Sequence, residues 1–324
     1  MRVLVTGARS MLGAGVARAL VERGDDVTVL QRRPSGLPCA EVLADVRDAE
    51  AVRAASAGSD AVIHLAAKVQ VVGAWRDFAD INIGGTRNVI EACRASSVER
   101  LVHVSTPSVA HTGSALVGVG AGPADPDRAH GSYARSKAFA ERVALAADGF
   151  GVSVVAIRPH LVWGPGDTQL IGRIVERARA GRLALVGSGA ALIDTTYVDN
   201  AVDALIHAVD RCETAHGQAL VVSNGEPRTV ADLVGAICRA AGVEPPRRHL
   251  PLPLAWSVGA IAEGAWSLLP LADEPPMTRF LATQLATAHW FDQRHTQDLL
   301  DWRPRVSLAE GFERLTASYA SPAD

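Results

Sequence analysis

Tyr133-Ala-Arg-Ser-Lys137 places a phenol and an ammonium four residues apart, on one face of a helix. The chain has three tyrosines and, in Lys68 and Lys137, two lysines, so their meeting at this spacing is informative. Reduction of a ketone creates an alkoxide that must take up a proton. A phenol can supply it, but its ordinary pKa of ~10 is high for transfer near neutral pH. A neighbouring ammonium is expected to lower that value. The pair also lies 27 residues after the hydroxyls of Ser105-Thr106, which close an apolar run. The competing reading is an exposed Tyr–Lys pair in cation–π contact.

A reduction also needs a hydride source. Thr6-Gly7-Ala8-Arg9-Ser10-Met11-Leu12-Gly13 follows the first β-branched run and opens an amphipathic stretch. A glycine turn in that setting lets backbone N–H groups and a helix N-terminus approach a pyrophosphate. Ser10 stands where a further glycine is usual. An NAD-preferring protein ends its second strand in Asp or Glu, which holds the ribose hydroxyls. Here that strand ends Leu30-Gln31-Arg32-Arg33, and Arg9 sits in the glycine turn. Arginines can grip a 2′-phosphate, so NADP(H) is expected, with NAD(H) the alternative if Arg32 and Arg33 are solvated loop charges. Asp45-Val46, after the third strand, can meet the adenine amino group and ring.

The elements that must position these groups are legible as an alternation. Residues 3–6, 27–30, 61–65, 101–105 and 152–157 are short apolar runs suited to buried parallel strands. Residues 12–23, 49–57, 77–95 and 133–147 are helical. The pattern predicts an α/β fold: a doubly wound parallel sheet of Rossmann type with a smaller, mostly helical substrate lobe. After residue 160 the alternation weakens. A helix is expected at 170–180, another after Tyr197-Val198 with Asp199 or Asn200 as N-cap, and a strand at 219–222 that returns to the main sheet. Residues 1–162 with about 196–222 form the expected dinucleotide lobe. About 163–195 with 223–324 form the other lobe, with the ligand between them.

Composition excludes several classes. A 324-residue chain with net charge −3 and pI near 6.4 lacks the footprint of a nucleic-acid binder. Cys39, Cys93, Cys212 and Cys238 are dispersed, forming neither a metal pattern nor a disulfide framework, which suits a reducing cytoplasm. No secretory leader is expected. Residues 252–272 are largely apolar, but Glu263, Pro253 and Pro270 make the stretch a poor membrane span. It is expected to cover an apolar pocket, to touch a membrane surface or a partner, or to be an ordinary core helix. Lys68 follows His64-Leu-Ala-Ala67 at the carboxyl edge of the fourth strand. There it can hold a substrate carboxylate, or be a plain surface lysine.

These residues resemble the extended short-chain dehydrogenase/reductase family over essentially the whole chain. The matching motifs are the glycine turn, Asp45-Val46, His64-Leu-Ala-Ala67, Asn82-Ile-Gly-Gly-Thr86-Arg-Asn88, Ser105-Thr106, Tyr133 with Lys137, Arg158-Pro159 and Tyr197-Val198-Asp199. The resemblance implies Tyr133 as general acid, Lys137 as phenol tuner and ribose ligand, and Thr106 as the carbonyl-polarising hydroxyl, with Ser105 beside it. Asn82 is given a supporting part. The implied cofactor residues are Thr6, Gly7, Arg9, Ser10, Met11, Leu12, Gly13, Gln31, Arg32, Arg33, Asp45, Val46, Leu65, Ala66, Ala67, Tyr133, Lys137, Pro159 and His160. Lys68, Ser105 and Trp163 are the substrate candidates, and no metal is implied.

Within that family the chain is similar to the 3β-hydroxysteroid dehydrogenase-like branch, and there to bacterial reductases of 2-alkyl-3-ketoalkanoates from olefin and β-lactone biosynthesis. The stretches concerned are Ser105-Thr-Pro-Ser-Val-Ala-His111, Ala66-Ala-Lys68 with Gly73-Ala-Trp75, Arg158-Pro-His-Leu-Val-Trp-Gly-Pro-Gly-Asp167, Ser223-Asn-Gly-Glu-Pro227, Met277-Thr-Arg-Phe-Leu281 and His289-Trp290. The resemblance implies hydride transfer from NADPH to a 3-keto carbon, a hydrophobic small-molecule substrate, acyl-condensing and β-lactone-forming partner enzymes, and a homo-oligomer. A sterol dehydrogenase is the runner-up. A nucleotide-sugar epimerase or dehydratase fits less well, because residues 252–269 offer apolar groups where a sugar diphosphate needs polar ones. A silent dinucleotide-binding scaffold would be expected to have lost Tyr133 or Lys137.

Overall fold

Branched side chains favour a pleated surface covered on both faces, and the apolar runs form such a sheet. The computed structural model describes residues 1–70, 73–111, 113–268, 275 and 277–320, the side chains of 267 and 268 aside. Its main sheet contains β1 (Arg2–Thr6), β2 (Asp26–Gln31), β3 (Ala40–Leu43), β4 (Ala61–His64), β5 (Arg100–Val104), β6 (Ser153–Pro159) and β7 (Ala219–Val222). The spatial order is β7-β6-β5-β4-β1-β2-β3, parallel throughout. The winding reverses between β1 and β4, which opens a crevice at their carboxyl ends. The return strand predicted at 219–222 pairs with β6, Val222 opposite Pro159.

Alternate side chains of each strand enter opposite cores. On one face Leu4, Val62, Leu101 and Val154 pack beneath α2 (Ala49–Ser56), α3 (Gly85–Ala95) and α4 (Gly131–Leu145). On the other, Val3, Val5, Ile63 and Ile157 meet α1 (Met11–Arg23) and α5 (Val198–Asp210). Each fully buried Leu or Ile contributes roughly 1.5–3 kcal/mol. A smaller sheet lies beyond the carboxyl ends. It orders Arg228–Thr229, Leu192–Ile193, His289–Phe291 and Leu116–Val119 side by side. Strands of two to four residues carry too little periodicity to be read from sequence.

Two expectations need correction. The helix predicted at 77–95 begins at Trp75 and is not uniformly α: Trp75–Phe78 and α3 flank a wide π turn, Ala79–Gly84. Neither Asp199 nor Asn200 caps α5, whose N-cap is Tyr197 without a side-chain bond. Both residues lie inside the first turn and are engaged elsewhere. Asn200 accepts from the Val306 N–H at 3.0 Å and donates to the Val306 carbonyl at 2.7 Å, while Asp199 pairs with Arg314 at 2.7 Å.

The apolar stretch forms α6 (Leu252–Leu268); residues 269–272 of that stretch, Leu269 and Leu271 included, lie outside the described residues. Leu254, Trp256, Val258 and Ile261 on α6 are exposed, Ile261 by 74%. Among the described residues no helix is long and apolar enough to cross a membrane.

Candidate active site

The crevice is shaped first by backbone. At Gly7, φ is +78°, and a Cβ there would lie 2.8 Å from the Ala66 nitrogen. At Gly13 a Cβ would come within 2.5 Å of the Gly7 carbonyl oxygen. Neither position can carry a side chain. Ser10, in place of a glycine, closes the turn: its Oγ accepts from the Gly13 N–H and donates to the Gly7 carbonyl, both at 3.0 Å. Met11 and Leu12 open α1 half-buried, and Arg9 stands exposed. The result is a bare loop facing the positive end of α1, the setting in which a pyrophosphate binds.

A hydrogen-bond chain fixes β4 beside this loop. Thr86 Oγ1 donates to the Asn82 carbonyl at 2.7 Å and so accepts from His64 Nε2 at 3.1 Å. His64 Nδ1 then accepts from Thr6 Oγ1 at 2.8 Å, and that oxygen accepts from the Ala66 N–H at 3.1 Å. Burial, with the charge of Lys137, holds His64 neutral, its pKa down to about 3. Leu65 donates its N–H to the Thr6 carbonyl at 3.2 Å, and Ala66 and Ala67 continue half-buried along the crevice.

On the adenosine side Arg9, Arg32 and Arg33 are exposed and make no ion pair among the described residues. Strand pairing also delivers an acid that sequence reading missed. Glu41 of β3 accepts from Gln31 Nε2 at 2.5 Å and from the Ser35 hydroxyl at 2.6 Å. Hydrogen bonds from Ser35 hold that carboxyl below the usual range. Asp45 is gripped by Arg47, with two contacts of 2.9 Å, and held low by that bond. Val46 is buried against α3, where a Cβ on Gly85 would meet it at 2.7 Å, so it packs the core.

The catalytic candidates converge from α4 and β5. Thr106 caps the short turn Pro107–Ala110 and lies 3.1 Å from Ser108 Oγ. The Thr106 side chain is also hydrogen-bonded to Tyr133. Burial pushes the phenol up to about 12 and that bond opposes the rise. The lowering expected from Lys137 is not seen: burial sets the phenol high, so Tyr133 holds its proton at neutral pH. Lys137 is buried and donates to the Val104 carbonyl at 2.6 Å. Burial pulls its pKa down to about 8 while Glu141 acts in the opposite direction. Among the described residues Ser105 Oγ is buried without a hydrogen-bond partner.

Two contacts fix α4. Glu141 and Arg158, 1% and 0% exposed, pair at 2.5 and 2.8 Å and lock the helix to β6. The π turn presents Asn82, whose amide donates to Ser136 Oγ at 2.8 Å and to the Lys68 carbonyl at 3.1 Å. Its oxygen accepts from the Lys68 N–H at 2.7 Å. A wide turn at a functional site is a recurrent device, and here it ties the segment after β4 to the catalytic helix.

The substrate candidates differ in what they can offer. The Lys68 ammonium lies 3.3 Å from Asp77 and 5.1 Å over the Phe78 ring. Trp163 is 1% exposed, donates to Thr195 Oγ1 at 2.9 Å and stacks on Phe312 at 4.5 Å, so it is a wedge of the interior. His160, next to Pro159, bonds through Nδ1 to the Asp194 carbonyl. Its ring meets His289 edge-on at 5.1 Å, and His289 meets His111 at 6.2 Å. Sequence reading did not foresee this buried imidazole cluster, because its members come from three distant segments. Burial keeps His111 and His160 neutral, at about 4 and about 3. Among the described residues no group of three or more His, Cys, Asp or Glu could hold a metal.

Comparison with known proteins accords with this geometry. The pattern of the NAD dependent epimerase/dehydratase family matches residues 3–223. A 2-alkyl-3-oxoalkanoate reductase of Stenotrophomonas maltophilia is 43% identical, across 99% of this chain and 100% of that one. A 3 beta-hydroxysteroid dehydrogenase/Delta 5→4-isomerase of Mycobacterium tuberculosis is 34% identical over 78% of this chain and 72% of its own. Among solved structures, MoeE5 in complex with UDP-glucose and NAD superposes with a TM-score of 0.76 at 25% identity, over 99% of both chains.

Proposed function

The chain belongs to the NAD dependent epimerase/dehydratase family and is an oxidoreductase, and from that premise we propose that it reduces 2-alkyl-3-ketoalkanoic acids to 3-hydroxy acids with NADPH. The observation that carries this reading is the 43% identity to a 2-alkyl-3-oxoalkanoate reductase, which extends through both ends of the chain. When bound, the nicotinamide supplies the hydride. In this reading residues 1–162 with 196–222 hold the cofactor and the remainder shapes the substrate site. Gly7 and Gly13 leave room for the pyrophosphate. Arg9, Arg32 and Arg33 favour a 2′-phosphate, against the carboxylates of Glu41 and Asp45, which are already engaged by Gln31, Ser35 and Arg47.

Thr106 Oγ1 donates to the ketone oxygen and orients it. Tyr133 passes its proton to that oxygen as negative charge develops there, and takes another from solvent. The Lys137 ammonium stabilises the phenolate left behind. Asn82 and Glu141 act through α4 as positioning residues. Lys68 is the cation we assign to the substrate carboxylate, in exchange for its contact with Asp77. The product is a 3-hydroxy acid of the kind that a β-lactone-forming enzyme consumes.

The relative from Mycobacterium tuberculosis favours a second reading, oxidation of a 3β-hydroxysteroid by the same triad. The two are separated by kcat/KM for NADPH with 2-alkyl-3-keto acids against NAD with 3β-hydroxysterols. Keto-acid reduction is expected to dominate, and turnover confined to sterols would overturn the proposal.

A further inference from the structure

We propose that the cavity behind Thr106, between the turn Pro107–Ala110 and the two strands Leu116–Val119 and His289–Phe291, receives one alkyl arm of the branched substrate. The inference rests on the keto-acid reading above. The cavity measures about 340 Å³, a volume in the range of small-molecule sites. Its walls include Pro107, Ala110, Leu116, Val119 and Phe291, with Arg128 at the edge. Pro107 directly follows the hydroxyl assigned to the ketone.

The opposite wall is built by strand pairing. Leu116 lies opposite His289, and Val119 opposite Phe291. The register shifts between Trp290 and Phe291, where Gly118 is the extra residue and the Trp290 ring lies against it, and this irregularity brings Val119 opposite Phe291. Phe291 in turn meets His160 edge-on at 5.1 Å, at the end of β6. Phe291 thus joins the cavity wall to the residue that ends β6, and Pro107 joins it to the end of β5. Asp125 also lines it, but its carboxylate is engaged by the N–H groups of Asp127 and Arg128, each at 3.1 Å.

A 2-alkyl-3-keto acid forks at the carbon beside its ketone. Two chains leave that point in different directions, so one straight channel cannot take both. An apolar recess one residue from the carbonyl-binding hydroxyl suits the second arm.

Two substrate series separate the arms, one lengthening the 2-alkyl group and the other the chain beyond the ketone. Ala110→Phe fills the recess. It should raise KM by ~10-fold or more for the long members of one series and leave the shortest member within about twofold. Leu116→Ala enlarges the recess and should move the optimum of that same series to longer arms. Equal losses in both series at every length, or no change with either variant, would overturn the proposal. Should the parent reduce no keto acid of any length, the keto-acid reading itself fails. The recess is then tested alone by calorimetric titration with decanoic acid. Binding that Ala110→Phe abolishes supports an alkyl site; no binding to the parent, or equal binding to both proteins, rejects it.

Discussion

In the glycine turn after β1, Thr6, Gly7, Ser10 and Gly13 lie in one short stretch, and their contacts are largely backbone. Around the recess behind Thr106, Leu116 and Phe291 come together only because two short distant strands pair. The first region has no slack: a Cβ at Gly13 would sit 2.5 Å from a carbonyl oxygen. The second is lined by side chains whose volume can change without moving the main sheet. On the proposed function, chemistry and specificity are separable here, and substitutions in the two regions should fail in different ways.

The largest effect is expected at Tyr133. Tyr133→Phe removes the proton donor and should lower kcat by roughly 10²–10⁴-fold, with cofactor affinity near that of the parent. Steady-state kinetics and cofactor titration check this; retention of more than a few per cent of activity would remove Tyr133 from the role. Glu141→Leu should cost about 3–5 kcal/mol of stability, since it leaves Arg158 charged and buried without its partner. Denaturant unfolding measures that cost, and a change below about 1 kcal/mol would show that α4 is held by packing instead.

Replacing both Arg32 and Arg33 by Ala should raise the NADPH KM by roughly 10- to 100-fold and leave that for NADH nearly unchanged. Equal effects on both cofactors would break the assignment of the 2′-phosphate. The pH profile probes the same region more gently. Lys137 has its pKa lowered to about 8, so it is charged below that pH and neutral above it. The value of kcat/KM for the cofactor should therefore fall as pH rises through about 8. A flat profile to pH 10 would mean that the ammonium keeps its charge. On the substrate side Lys68→Ala should raise KM for a keto acid by about 10-fold and spare a neutral ketone of similar size. Identical behaviour toward both would leave Lys68 as the partner of Asp77 alone.

Legibility followed the same division. The glycine turn and the Tyr–Lys pair were readable because each is a short spacing within one element. The helix at 77–95 was readable as a helix, but the wide turn at Asn82 was not, because the turn serves contacts with Lys68 and Ser136 outside it. Asp199 and Asn200 looked like caps, yet Asn200 is drawn inward by the distant Val306. Glu41 reaches the adenosine side through the pairing of β2 with β3, where no local signal announces it.

What spacing alone determined is that Tyr133 and Lys137 share a face and that the first strand opens into a loop with room for a phosphate. Both follow from covalent geometry and helical pitch, which need no distant neighbour. What only the tertiary structure decided is the state of those groups. The phenol stands at about 12 and the ammonium at about 8 because residues far along the chain bury the first in part and the second fully. Glu141 and Arg158 hold α4 in register because two charges buried together cannot separate without an uncompensated charge. The recess beside Thr106 exists because strands near residues 117 and 290 meet. Burial and long-range pairing are properties of the packed chain, and no window of sequence contains them.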